Sequence, residues 1–134
     1  MDKLIKLIKE AEYVFVCGNG GSASTAEHFT TDLFKKGIKA ICLNSNTAII
    51  TMIGNDAGYD LVFSYQLARY ATEKDLLITI SCSGTSANIV DAIGLAKTVG
   101  IKHYQFETFK KGDTNYGKLE DKHLAFAHKI ASKL

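Results

Sequence analysis

Apolar and polar residues recur along this chain with two different periods, and the switches between them mark its elements. Leu4, Ile5, Leu7, Ile8 and Ala11 share one side of a helical projection, with Lys3, Lys6, Lys9 and Glu10 on the other. That spacing predicts an amphipathic first helix of about three turns. Tyr13 to Cys17 is an unbroken apolar run ending in glycines, the pattern of a strand covered on both faces. Ser22 to Lys36 reads as a helix stopped by Gly37, and Ile38 to Leu43 as a second strand. Asn46 to Ala71 reads as mostly helical, with a break around 54–58. Leu76 to Ile80 is a third apolar strand, and Ser86 to Val99 a helix stopped by Gly100. Lys102 to Glu107 alternates Tyr104 and Phe106 with Gln105 and Glu107, which predicts one wet face and a place at a sheet edge. Residues 108–117 form a polar, glycine-containing loop without an apolar run, and Lys118 to Leu134 is a final helix.

Strands alternating with helices at this spacing imply right-handed crossovers and a parallel sheet covered on both faces. The expectation is a three-layer α/β sandwich with a flavodoxin-like parallel sheet of four strands, or five at most. With 134 residues and no linker or repeat, residues 1–134 form one domain. The net charge of +2 is carried by scattered lysines, so no basic face points to nucleic acid. No apolar run reaches 18 residues, so no membrane span is expected, and the N-terminus lacks the apolar stretch of a signal peptide. Cys17, Cys42 and Cys82 are odd in number and far apart, which suggests reduced thiols and a cytoplasmic setting. Each ends an apolar run, as a buried small hydrophobe would.

In an open parallel sheet, ligands bind beyond the carboxyl ends of the strands. Two loops fall there: Cys17-Gly-Asn-Gly-Gly-Ser22 and Ser81-Cys-Ser-Gly-Thr-Ser86. Glycines let backbone N–H groups approach an anion, a following helix adds its positive end, and hydroxyls add donors without charge. Glycine-rich turns and Ser/Thr caps are also common connectors, so each loop alone leaves both readings open. Neither loop is a G-x-G-x-x-G or a Walker sequence, so no nucleotide cofactor is expected.

Ionisable residues cluster by helical spacing. His28 and Asp32 are four apart and share a face. Glu120 and His128, eight apart on the last helix, lie within about 80° of each other. Two histidines and two carboxylates have the residue types of a divalent-metal site of the kind zinc takes, although a helical His beside a carboxylate is also a common surface pair. His123 lies about 140° round from His128 and reads as an ordinary helix residue; His103 has no assigned role.

The chain resembles the sugar isomerase (SIS) domain family and, within it, the phosphoheptose isomerase branch. Gly18-Asn-Gly-Gly-Ser22 with Ala26-Glu-His28, Gly54-Asn-Asp56-x-Gly58, and Ser81-x-Ser-Gly-x-Ser-x-Asn88 carry the resemblance. It implies phosphate-binding hydroxyls at Ser81, Ser83 and Ser86, with Cys82 where the family has Thr. It implies sugar contacts at Asn19, Gly20, Gly21, Ser22, Asn55 and Asp56. The family's His-x-x-x-Glu reads His28-x-x-x-Asp32 here, and its Gln-x₇-His reads Glu120-x₇-His128. The implied chemistry is aldose–ketose isomerisation of a heptose phosphate through an enediol, with Asp32 the base and His128 the acid. Zinc would be held by His28, Asp32, Glu120 and His128. The resemblance also implies a homodimer or tetramer with sites assembled between subunits. The family's additional N-terminal helix and fifth strand have no counterpart here. The alternative is a non-catalytic SIS module that binds a phosphosugar or a protein partner.

Overall fold

Continuous apolar runs become the centre of the sheet because only a strand covered on both faces can bury every side chain. The computed structural model, which describes residues 1–134, shows this for β1 (Val14–Gly18) and β3 (Leu76–Ile80), each buried at all five positions. The remaining elements are α1 (Asp2–Glu10), α2 (Gly21–Lys35), β2 (Ala40–Cys42), α3 (Thr47–Asp56), α4 (Ser64–Tyr70), α5 (Ala87–Val99), β4 (Lys102–Gln105) and α6 (Tyr116–Ala131). A single 3₁₀ turn, Tyr59–Leu61, fills the break between α3 and α4.

The four strands pair in parallel in the order β2-β1-β3-β4. In register, Val14 lies between Ala40 and Leu76, and Leu76 between Val14 and Lys102. Successive side chains on β1 feed opposite layers. Val14 and Val16 join Leu4, Ile8, Phe29, Leu33 and Ile130 under α1, α2 and α6. Phe15 and Cys17 join Ile53, Phe63, Leu67, Ile89 and Ala92 under α3, α4 and α5. The three-layer α/β sandwich is therefore the observed architecture. Its sheet has four strands, and the half-wet Lys102–Gln105 strand lies at one edge.

Strand ends differ from the apolar pattern where hydrogen bonding stops before hydrophobicity does. The run 38–43 pairs as a ladder only over Ala40–Cys42, with Lys39 accepting from Val14 N at 2.9 Å and Leu43 N donating to Val16 O at 2.9 Å. Likewise β4 ends at Gln105, and the next residue, Phe106, donates to Thr79 O at 3.0 Å before its ring turns into the core. The last helix begins at Tyr116, earlier than expected, because Asn115 caps it by accepting from Lys118 N at 3.0 Å.

His103 on β4 titrates below its ordinary value, first because it is partly buried and then because Lys97 and Lys3 are nearby positive charges. The unfolded chain therefore binds this proton more readily than the folded one. The resulting stability is complete above the unfolded value, about 6.5. It is lost as pH falls towards the lowered folded value. The expected result is that melting temperature drops between pH 7.5 and 5.5 more steeply for the natural chain than for His103→Gln; parallel curves would refute this linkage.

Candidate active site

Both central strands deliver a loop to the same end of the sheet. β1 ends at Gly18, whose backbone is gripped by one side chain: Gly18 N donates to Asn44 Oδ1 at 3.1 Å, and Asn44 Nδ2 donates to Gly18 O at 2.8 Å. Gly20 then takes φ +58° and ψ −125°, a conformation open in practice to glycine alone, and the chain turns into α2. Ser22 is buried in the first turn, its N–H bonded to Asn19 O at 3.0 Å.

The second loop is ordered by its own hydroxyls. Ser81 Oγ accepts from Gly84 N at 3.0 Å, and Ser83 Oγ accepts from Thr85 N at 3.2 Å. Accepting leaves each O–H free to donate to a ligand. Ser86 stands at the N-cap of α5 with its hydroxyl unused as a cap. The loop is neutral, so any anion held there would be held by hydroxyls, backbone N–H groups and the helix end.

Glu120 sits beside the first loop. Its carboxylate lies so close to the α-carbon of Gly21 that a β-carbon there would fall 2.6–2.7 Å from it. It also faces Cys82. Burial raises that thiol's pKa, the Glu120 charge raises it further, and the Ser22 hydroxyl opposes the shift. The resident carboxylate thus covers the N-terminal end of α2, whereas the corresponding end of α5 carries only hydroxyls.

A separate group of ionisable side chains forms where α2 packs on α6. His28 Nε2 and His128 Nε2 are 2.9 Å apart, with the rings edge-on at 70°. Asp32 Oδ2 lies 3.5 Å from His28 Nε2 and 4.0 Å from His128 Nε2, while its Oδ1 is 3.7 Å from Lys35 Nζ. His28, Asp32 and His128 form a group able to hold a metal ion. Glu120, expected as a fourth member, is not in it. Eight residues leave two helical side chains within about 80° of each other, but they also separate them by about 12 Å along the axis. The angle alone misplaced Glu120, which belongs with Gly21, Ser22 and Cys82.

Asn19, Gly20, Gly21, Ser22, Ser81, Ser83 and Ser86 are brought to one end of the sheet as expected from their loops. Asn55 and Asp56 are exposed at the end of α3 and hydrogen-bonded to each other at 2.8 Å, with no hydrogen bond to either loop. The nearest link is Tyr59, whose hydroxyl donates to Asn19 Oδ1 at 3.4 Å. Sequence reasoning missed Asn44, read Asn88 only as the last position of the Ser81–Asn88 motif without a role, and left His123 as an ordinary helix residue. His123 is buried, its Nε2 2.6 Å from Glu107 O and its ring edge-on to Phe106, so it pins α6 to the segment after β4. The signal was present: Leu119, His123, Ala127 and Ile130 trace one buried stripe at helical spacing.

Paired loops at the carboxyl ends of inner parallel strands are where an open sheet offers a small molecule a site, so the fold defines an open parallel α/β domain with a candidate small-ligand site. Comparison with known proteins narrows that class. The chain belongs to the SIS domain family, whose model matches residues 1–104. It is similar to the phosphoheptose isomerase of Campylobacter concisus (strain 13826), with 34% identity over 142 aligned positions covering 92% of this chain and 75% of that protein. It is 40% identical over 104 residues to the phosphoheptose isomerase of Aliarcobacter butzleri (strain RM4018), covering 73% of this chain but 55% of that one, so it spans about half of that relative. The solved phosphoheptose isomerase from Francisella tularensis superposes with a TM-score of 0.90 at 28% identity, over 98% of this chain and 82% of that one.

Proposed function

We propose that this domain is a phosphosugar isomerase that interconverts a ketose phosphate and an aldose phosphate, with sedoheptulose 7-phosphate the leading substrate. The observation that carries this reading is the placement of the His28–Asp32–His128 group beyond the two loops. His28 lies seven residues along α2 from Gly21, a rise of about 10 Å. In this reading one extended ligand runs from a phosphate at the Ser81–Ser86 loop, past the first loop, to the ionisable group. The uneven charge of the loops supports that direction, since Glu120 would repel a phosphate from the first loop and favour sugar hydroxyls there. The names of the relatives support the substrate class.

In this reading the Asp32 carboxylate takes the proton from the carbon beside the carbonyl. It returns that proton to the former carbonyl carbon after an enediol forms. His128 protonates the carbonyl oxygen and recovers the proton from the neighbouring hydroxyl, so no net proton is consumed. His28, 2.9 Å from His128, orients that ring. The residues also fit zinc. Their ligand atoms are 2.9, 3.5 and 4.0 Å apart. A tetrahedral ion with bonds of about 2.0–2.1 Å places its ligands about 3.4 Å apart. His28, Asp32 and His128 would hold it with a fourth position open, and it would supply Lewis-acid polarisation of the substrate oxygens. We propose a homo-oligomer, dimer or tetramer, because both histidine side chains stay half exposed in the single chain. Three free cysteines support a reducing, cytoplasmic setting; no helix is long and apolar enough to cross a membrane.

One observation favours a non-catalytic sugar-phosphate-binding module instead: the Asp32 side chain is only 16% exposed and is engaged by the imidazole pair and Lys35. Incubation with sedoheptulose 7-phosphate, with and without zinc, separates the two. Aldose product supports the isomerase. A raised melting temperature without product supports the binding module, and no stabilisation by any sugar phosphate would refute both. Ser83→Ala removes a donor to a charged group, an interaction of about 1.5–3 kcal/mol, so affinity should fall at least tenfold. Titration calorimetry showing unchanged affinity would remove Ser83 from the phosphate site.

A further inference from the structure

The two loops are joined by a pair of side-chain amides. Asn19, in the first loop, donates from Nδ2 to Asn88 Oδ1 at 2.8 Å. Asn88, in the first turn of α5 just after the second loop, donates from its own Nδ2 to Asn19 Oδ1 at 2.9 Å. The partners are 69 residues apart in the chain, and Asn88 is only 3% exposed. This reciprocal pair directly bridges the sugar-side loop and the phosphate-side loop.

The hydrogen-bonding capacity of an amide then limits what Asn19 can offer a ligand. A carboxamide oxygen accepts two hydrogen bonds and its nitrogen donates two. Asn19 Oδ1 already accepts from Asn88 and, at 3.4 Å, from Tyr59 Oη. Its Nδ2 keeps one N–H. A ligand therefore meets Asn19 as a donor, to a sugar oxygen, and not as an acceptor. The pairing also resists rotation of that side chain, because turning it would break two bonds and leave the nearly buried Asn88 amide unsatisfied.

We propose that Asn88 is a positioning residue: through Asn19 it fixes the first loop against the second, so that the sugar and phosphate ends of one ligand are bound at a set spacing. This rests on the sugar-phosphate reading above. Asn88 touches no ligand itself under this assignment.

The test compares two probes. Inorganic phosphate alone samples the second loop, and sedoheptulose 7-phosphate samples both. Asn88→Leu keeps the approximate volume and adds no charge beside the second loop, but it removes both hydrogen bonds to Asn19, so the pair is lost without placing a carboxylate near the phosphate. The expected result is about tenfold weaker binding of sedoheptulose 7-phosphate, with phosphate affinity within twofold of the natural chain. Asn19→Ala should produce the same split with a larger loss, because it also removes the donor to the sugar, and adding the Asn88 substitution to it should cost little more, as expected of a group that acts only through Asn19. Equal losses for both probes would show that Asn88 merely holds the second loop, and would overturn the proposal. So would unchanged sugar-phosphate affinity, or losses that add in the double variant. If the natural chain binds neither probe, the proposed function fails and takes this inference with it. If it binds both and the variants match it, only the positioning role fails.

Discussion

Asp32→Asn is expected to lower the turnover of sedoheptulose 7-phosphate by about 10²–10⁴-fold while leaving its affinity within a few-fold of the natural chain. The amide keeps the shape of the carboxylate and can still accept a hydrogen bond from an imidazole, but it cannot take a proton from carbon. Stability should be little changed. The ion pair with Lys35 is 3.7 Å long and its lysine is 70% exposed, a geometry that contributes at most about 1 kcal/mol. The loops proposed to bind the ligand end about 15 Å away along α2, at Ser22, so KM should hold while kcat falls. Steady-state kinetics read alongside a melting curve make the check. A kcat within tenfold of the natural chain would show that Asp32 is not the base. Asp32→Glu sharpens the point, because one added methylene extends the carboxylate from a side chain now only 16% exposed. If short reach limits the natural chain, this variant turns over faster.

Asp32 also shows which parts of the site the sequence can reveal. A spacing of four residues is about one helical turn, so periodicity alone placed His28 and Asp32 side by side, and the structure shows them 3.5 Å apart. The same arithmetic failed for Glu120 because eight residues is two turns, and an angle carries no information about distance along the axis. That error has a chemical consequence. A carboxylate thought to belong to a metal group instead lies over Gly21 and faces Cys82, where it shapes the sugar-side loop. His123 failed for another reason. Its angle to His128 was right, but the buried stripe of α6 runs through His123 and not His128, and it packs His123 against Phe106 and Glu107.

The fold was legible because a doubly covered parallel sheet leaves a distinctive trace. Val14–Gly18 and Leu76–Ile80 are buried at every position, and a run of apolar residues bounded by glycine and serine announces such strands. The absence of an apolar run in 108–117 agreed with a sheet that ends at β4. Long-range polar pairing left no comparable trace. Asn44 grips Gly18 across 26 residues and Asn88 pairs with Asn19 across 69, and no local period connects such positions. These asparagines satisfy backbone and amide groups at the mouth of the site, so the polar details that set the loops are those that a single sequence conceals.

Gly18→Ala should be the most damaging single-atom addition in the molecule. A β-carbon there would lie 2.6 Å from Ser22 O, 2.7 Å from Ser22 C and 2.8 Å from Ile80 O. All three are backbone atoms, so no side chain can rotate away. Gly18 cannot retreat either: it pairs with Ile80 at the end of the β1–β3 ladder, and both its N–H and its C=O are held by Asn44. Overpacking a well-filled site costs about 1–3 kcal/mol, and a contact confined to backbone belongs at the upper end of that range. For a domain of this size a loss of about 3 kcal/mol lowers the melting temperature by about 10 °C. The displaced atoms belong to the first loop and to the end of β3, from which the second loop leaves, so sugar-phosphate affinity should fall together with stability. Gly94→Ala supplies the control with the opposite sign. Gly94 lies inside α5 with nothing within 4 Å of an added β-carbon. Replacing a helical glycine with alanine stabilises by roughly 0.5–1 kcal/mol. Thermal melts of the two variants should therefore move in opposite directions from the natural chain, with only Gly18→Ala losing ligand. A Gly18→Ala protein that melts within about 2 °C of the natural chain would mean that the β1–α2 turn yields where the packing says it cannot.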